Sequence, residues 1–257
     1  MTYAFNNITV HLGGAAIVRE ASSELTAGKI TVIVGPNGAG KTTLLTALAG
    51  LRPAHGTLSA EGKDLDRQER RSLAAYMPQD IGAQSSLTLL EVVLLGRLRS
   101  LGLRVPADLE SEAVRALDRF GLAALQERTL DAVSGGQRQL VYLTQALFRE
   151  PRLLLLDEPT ASLDLRHQLI VMDAVRAHAA EHDIAVLIAI HDLSLAAQFA
   201  DQVICLAGGR IQADGPADQV LTRERLRALF GVVAEVDQAP SGHLRITPVK
   251  AVEEPSA

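Results

Sequence analysis

The run Gly35-Pro36-Asn37-Gly38-Ala39-Gly40-Lys41-Thr42-Thr43 constrains the fold more than any other part of this chain. Ile30–Val34 before it is a continuous apolar run, and Lys41–Ala49 after it reads as a helix stopped by Gly50 and Pro53. A glycine-rich turn between a buried strand and a helix N-terminus is the pattern of a phosphate-binding loop. Glycines let the backbone curl so that successive N–H groups converge on phosphate oxygens, and the helix adds the positive end of its dipole. Lys41 is placed to contact the β- and γ-phosphates of a nucleotide, and Thr42 to offer a hydroxyl to Mg2+. This predicts an α/β fold around a parallel sheet, in which ligands sit at the carboxyl ends of the strands.

Leu153–Leu156 and Ile184–Ile190 are likewise too continuous for half-exposed strands, and suit inner strands of a parallel sheet covered on both faces by helices. Leu153–Leu156 runs into Asp157-Glu158-Pro159. Asp157 suits a Mg2+ role, directly or through water. Glu158 leaves the strand end on the other face, placed to polarise a water for in-line attack on the γ-phosphate. Two adjacent carboxylates are tolerable there because a divalent cation supplies opposing charge.

The stretch from Leu87 to Glu150 reads as mainly helical, an insertion between these strands. Thr88 and Glu91 form a capping-box pattern, Pro106 and Asp108 open a further helix, and Gly121 ends it. Gln202–Leu206, Gly208-Gly209 and Arg210–Gln212 read as strand, turn and strand, and Thr222–Phe230 as a helix ending at Gly231. The expected organisation is a nucleotide-binding domain over 1–236, with a small antiparallel β portion and a helical subdomain at about 85–150. Residues 237–257, with Pro240, Gly242, Pro248 and Pro255, are expected to form an appendage with a frayed end.

Val133-Ser134-Gly135-Gly136-Gln137 precedes a second helical stretch, Gln139–Phe148, and makes another anion-binding helix N-terminus. One nucleotide does not need two cradles from one chain, but a two-fold dimer uses both. With these motifs the chain resembles the ATP-binding cassette (ABC) ATPases, a P-loop fold, over about Asn7 to Gly231. Their signature is usually Leu-Ser-Gly-Gly-Gln, and Val133 replaces the leucine here. The resemblance implies a homodimer holding two ATP and Mg2+, in which Ser134, Gly135, Gly136 and Gln137 complete the partner's site. It also implies that Gln79, in Tyr76-Met77-Pro78-Gln79-Asp80, contacts Mg2+ and water. It further implies that Asp164, in Ser162-Leu163-Asp164, lies at the dimer seam and that His191 contacts the γ-phosphate.

A narrower resemblance lies in Ser86–Arg97, which is similar to a segment of the ATPases of iron–siderophore, haem and cobalamin importers. It implies an integral membrane permease as partner, docked beside Gln79, a substrate-binding protein acting indirectly, and a peripheral place on the cytoplasmic face of the inner membrane. Two rivals fare worse. Chromosome-organising relatives insert hundreds of residues between the two glycine motifs, whereas Lys41 and Ser134 are 93 positions apart. A small-molecule kinase has no use for Ser134–Gln137.

Composition narrows the field further. A net charge of −5 and 3% aromatic residues argue against a nucleic-acid partner. No apolar run approaches the ~18 residues of a membrane span, and Met1–Glu20 has no signal-peptide pattern. Cys205, the one cysteine, reads as a small core residue in a chain without internal disulfides. His178-Ala-Ala-Glu181-His182 spells a zinc-protease pattern in reverse, but its place before a core strand predicts a solvated helix end. Leu12 stands where many ABC ATPases place an adenine-stacking tyrosine; Tyr3, Phe5 and His11 are the alternatives for that ring.

Overall fold

The structure, a computed structural model, describes residues 1–79, 85–100, 105–240 and 242–252. Asp80 and Pro255, named above, lie outside the described residues. The chain opens with β1 (Thr2–Leu12) and β2 (Ala15–Thr26), an antiparallel pair turned by Gly13 and Gly14, and continues into β3 (Ile30–Val34). The glycine-rich loop leads into α1 (Lys41–Leu48), followed by β4 (His55–Ala60) and β5 (Lys63–Asp64). Then come α2 (Arg67–Leu73), N-capped by Asp66, and β6 (Ala74–Met77). The helical insertion holds α3 (Leu89–Leu94), α4 (Ala107–Asp118) and α5 (Gly135–Phe148), linked by short 3-10 turns.

Beyond the insertion lie β7 (Leu153–Asp157), α6 (Leu165–His182), β8 (Ala185–Ala189), α7 (Leu193–Phe199), β9 (Gln202–Ala207) and β10 (Arg210–Gly215). The chain continues through α8 (Ala217–Val220) and α9 (Arg223–Phe230) to the hairpin β11 (Val232–Gln238) and β12 (Leu244–Ala251).

Among the described residues the central sheet has the order β10-β9-β3-β8-β7-β6, parallel except for the β10–β9 pair. Every residue of β3, β7 and β8 is buried. Alternation sends Leu154 and Leu156 to one apolar layer and Leu153 and Leu155 to the other. The first layer packs helices α3 to α7 against the sheet, as expected. The second differs: it is closed by α1 and by the antiparallel sheet β2-β1-β4-β5, whose Tyr3, Phe5, Leu25 and Leu58 are fully buried. Helices therefore cover one face, and a second sheet completes the cover of the other.

The predicted helix ends are physical caps. Thr88 Oγ1 accepts from the Glu91 N–H while the Glu91 carboxylate accepts from the Thr88 N–H. Thr222 caps α9, and Gly231 ends it in the left-handed region at φ 65°. The helix opened by the Thr88 capping box is short, Leu89–Leu94. Helix α3 gives way to a 3-10 segment at Leu95, broken at Arg97, whose φ/ψ of −112°/36° are not helical. Gly96 allows this segment to touch α5, since a Cβ there would lie 2.6 Å from the Gln145 carbonyl oxygen.

An appendage boundary after 236 would cut β11. The whole hairpin from Val232 is one paired unit, and Ala234 and Ile246 join the main core. Ser194 on α7 fixes it by donating to the Ile246 carbonyl at 3.2 Å.

Gly35 joins sheet and loop. A Cβ at that position would lie 2.0 Å from the Leu206 carbonyl oxygen of β9, so Gly35→Ala must separate the end of β3 from β9. The expected cost is about 1–3 kcal/mol, read as a lower urea midpoint with an unchanged m-value.

Candidate functional site

At the carboxyl ends of β3 and β7 lies a cleft of about 750 Å3, lined by Asn37–Thr43, Ile17, Gln79, Glu158 and His191. The loop folds as the sequence predicts. Gly40 caps α1 with φ 103°, a conformation that favours glycine, so that Lys41 starts the helix. Lys41 is 7% exposed, and burial lowers its pKa. Its ammonium donates to the Gly35 carbonyl at 2.7 Å and the Pro36 carbonyl at 3.2 Å. The loop thus holds the lysine with its own oxygens at the floor of a phosphate-sized cradle.

Glu158 is the most heavily restrained side chain in the cleft. It is 9% exposed and has φ 51°, uncommon for a residue with a Cβ and a form of strain found at functional sites. Its carboxylate accepts from Gln79 Nε2 at 2.8 Å and forms a short contact with His191 Nε2. The structure therefore brings Gln79, Glu158 and His191, which lie far apart in sequence, into one hydrogen-bonded group.

Asp157 lies beneath this group, 1% exposed. One carboxylate oxygen accepts from the Tyr76 hydroxyl at 3.3 Å, whereas Oδ1 is buried with no partner among the described residues. Burial, then the adjacent Asp157 charge, drive the Tyr76 pKa up, so the phenol stays a donor. A buried carboxylate oxygen without a donor is costly unless a cation meets it. The residues present therefore fit a hard divalent ion.

Ser134–Gln137 do not line this cleft. Helix α5 begins at Gly135, earlier than the predicted Gln139–Phe148 stretch, because Ser134 and Gln137 form a capping box. The Ser134 hydroxyl accepts from the Gln137 N–H at 3.2 Å, and the Gln137 side-chain Oε1 accepts from the Ser134 N–H at 3.0 Å. Asp164 caps α6 and accepts from the His167 backbone and ring at 2.8 Å. These hydrogen bonds, the backbone one first, hold its carboxyl below the ordinary range.

Residues 18–161, more than half of the chain, match the ABC transporter family. The chain belongs to this family. It is an ATPase of the ABC type. The hemin import ATP-binding protein HmuV of Bradyrhizobium diazoefficiens is 39% identical over 91% of this chain and 90% of its own length. The cobalamin import ATP-binding protein BtuD of Halobacterium salinarum is 38% identical over 97% of this chain, which spans 64% of that relative. Among solved structures, a transporter described as of metal-chelate type in an inward-facing conformation superposes with a TM-score of 0.82. It is 26% identical and covers 97% of this chain and 98% of its own.

Three residues of this ABC ATPase escaped the sequence reading. Gln139, 5% exposed, donates to the Glu158 carbonyl at 2.8 Å and accepts from the Ser162 N–H at 3.3 Å. Its signal was a polar residue on the apolar face of α5, one turn before Leu143. Tyr76 stood in a motif without a role. Ile17 lines the cleft, while Leu12 does not. Tyr3 and Phe5 are fully buried in the core, and His11 sits edge-on to His55, with ring centroids 6.2 Å apart. The His178 reading needs correction: it is 6% exposed, not solvated, and neither ring nitrogen has a partner among the described residues. Cys205 is a core residue as read, its thiol pushed up to about 11 by burial.

Glu158→Gln should lower steady-state ATP hydrolysis by roughly 10²- to 10⁴-fold, while equilibrium dialysis shows ATP still bound. Near-normal turnover would remove Glu158 from the chemistry. An aliphatic base-facing surface should discriminate ATP from GTP poorly. Base–aromatic stacking corresponds to about 5- to 150-fold in affinity, so a ring at the apolar position that does line the cleft, Ile17→Tyr, should tighten ATP binding toward the lower end of that range. A strong wild-type preference for ATP, with no gain on substitution, would place the base elsewhere.

Proposed function

We propose that this chain is the ATP-hydrolysing subunit of an importer that takes up an iron chelate, either a ferric siderophore or haem, or cobalamin. The likeness to a hemin import ATP-binding protein across nine tenths of both chains carries the reading. Beneath it lies a cleft in which the residues for phosphate binding and for water activation stand together.

In this reading two chains form a homodimer around two ATP molecules, and Ser134–Gln137 of each chain close the cleft of the other. The placement of Ser134–Gln137 outside their own cleft supports it. On ATP binding, Lys41 exchanges the Gly35 and Pro36 carbonyls for phosphate oxygens. Gln79 and His191 orient the Glu158 carboxylate, which accepts a proton from the attacking water. Thr42, Gln79 and Asp157 would hold Mg2+, which supplies charge neutralisation at the phosphates. Loss of the γ-phosphate removes contacts that both chains share, and the dimer opens.

The permease helix would dock in the groove of about 250 Å3 between Tyr76–Pro78, Leu95, Gly96 and the Tyr142–Arg149 face of α5. Leu87 and Leu95 are 37% and 39% exposed beside it, more apolar surface than a solvated turn requires. Among the described residues no helix is long and apolar enough to cross a membrane; in this reading the chain attaches to the inner membrane through the permease. A substrate-binding protein delivers the cargo from the far side.

The test is uptake by vesicles containing the neighbouring permease and this chain, with ferric siderophore, haem and cobalamin offered in turn. One of the three should accumulate with ATP and not with Glu158→Gln. In the same system, mixing Lys41→Ala chains with Gly136→Asp chains should recover part of the ATPase, because one composite site keeps both intact halves. No uptake of any of the three overturns the cargo class. No recovery despite demonstrated heterodimers overturns the shared site.

A further inference from the structure

On the side of the insertion away from the ATP cleft, α4, α5 and α6 enclose a second cavity of about 150 Å3. It shares no lining residue with the cleft that holds Lys41 and Glu158. Its floor is His178, 6% exposed, whose Nδ1 and Nε2 both lack hydrogen-bond partners among the described residues. Both nitrogens are closed to water, and a buried imidazole left this way costs free energy that an acceptor in the cavity would recover once the ring turns a nitrogen toward it. His182, one turn on, lies with its ring centroid 4.2 Å from that of His178.

The rim is cationic, although the chain as a whole carries −5. Arg97 is already committed: it pairs with both oxygens of Glu112 at 2.9 and 3.0 Å, reaches Glu150, and donates to the Phe148 carbonyl at 2.7 Å. Arg115 and Arg119 are not committed. Both line the cavity, and among the described residues neither forms an ion pair. They stand four residues apart, Arg115 in the last turn of α4 and Arg119 at its C-cap, where like charges repel unless an anion lies between them. The opposite wall is apolar, made by Phe120, Leu147 and Phe148.

We propose that this cavity binds a small organic monoanion, a carboxylate carried on a flat apolar body. Arg115 and Arg119 take the carboxylate, His178 and His182 complete its hydrogen bonds, and Phe120, Leu147 and Phe148 cover the body. The charge balance argues for a single negative charge, since three arginines face two glutamates. Burial, then His182 and Arg119, lower the His178 pKa to about 4, so at neutral pH the ring is neutral and offers one N–H. A metal ion fits worse: the arginines oppose a cation, and among the described residues no group of three or more His, Cys, Asp or Glu could hold one. A phosphate dianion would leave the apolar wall unused. A bound carboxylate bridges α4 to α6, so the ligand would brace the helical insertion against the sheet core.

The probe is benzoate, titrated calorimetrically into the full chain with saturating ADP, so that the glycine-rich loop cannot take the anion. One benzoate per chain is expected, and neutral benzamide should bind at least about tenfold more weakly, as the loss of a charge-assisted hydrogen bond requires. Arg119→Gln, an exposed substitution, should weaken benzoate about 10- to 100-fold. His178→Phe should fill the cavity and abolish binding, and the His178 ring resonances of wild type should shift on titration. The proposal fails if no saturable binding occurs up to about 10 mM. It fails equally if benzamide matches benzoate, if Arg119→Gln binds as wild type, or if benzoate binds without moving the His178 signals.

Discussion

Strands buried on both faces have no place for a charged side chain until they end. Throughout β3, β7 and β8 every residue is buried, and Leu153 to Leu156 alternate between two apolar layers. Full burial of one such side chain is worth about 1.5–3 kcal/mol, so a carboxylate inside either layer would be expelled. Asp157 and Glu158 sit where the layers stop, and the glycine-rich loop begins where β3 stops. Because these strands run parallel, both ends open on the same edge. The site follows from sheet direction as much as from the motifs.

Helix α5 links two things that the motifs present as separate. Its first turn, opened by Ser134, faces away from the chain's own cleft, while Gln139 one turn later grips the Glu158 carbonyl and the Ser162 N–H. Gly136 lies against Leu163 and the Ser162 carbonyl; a Cβ there would meet them at 3.2 and 3.3 Å. A shift of α5 therefore moves the backbone that carries Glu158. Two hydrogen bonds of Gln139 thus tie α5 to the backbone of Glu158 and Ser162, which in the proposed reading couples Ser134–Gln137 to the water-activating carboxylate.

What the sequence made legible was contiguous: the loop 35–43, Asp157-Glu158, the caps at Thr88 and Thr222, and the stop at Gly231 all come from neighbours in the chain. What stayed hidden depends on distance. The second cover of the sheet was not legible because β1 and β2 are long strands with shifts in register, Phe5 to Ile8 among them, which blur the alternation that marks a strand. Gly135-Gly136 read as loop because glycine is a poor helix former, yet the Ser134–Gln137 box outweighs that preference. His178 read as solvated because nothing local says that α4 and α5 pack over α6. The 236/237 boundary followed proline and glycine content, whereas Ala234 and Ile246 fix the hairpin to the core.

In this state the cleft is largely satisfied by its own residues. Lys41 holds the Gly35 and Pro36 carbonyls, and Glu158 holds Gln79 and His191. In the proposed reading nucleotide binding exchanges hydrogen bonds more than it adds them, so its net gain is smaller than a count of phosphate contacts implies. The exception is Asp157 Oδ1, buried and without a donor among the described residues while its neighbouring oxygen accepts from Tyr76. No protein contact is given up when a cation reaches that oxygen, and a desolvated carboxylate gains most from one. In the proposed reading, a divalent ion's contribution to nucleotide affinity is concentrated at the end of β7, beneath Glu158.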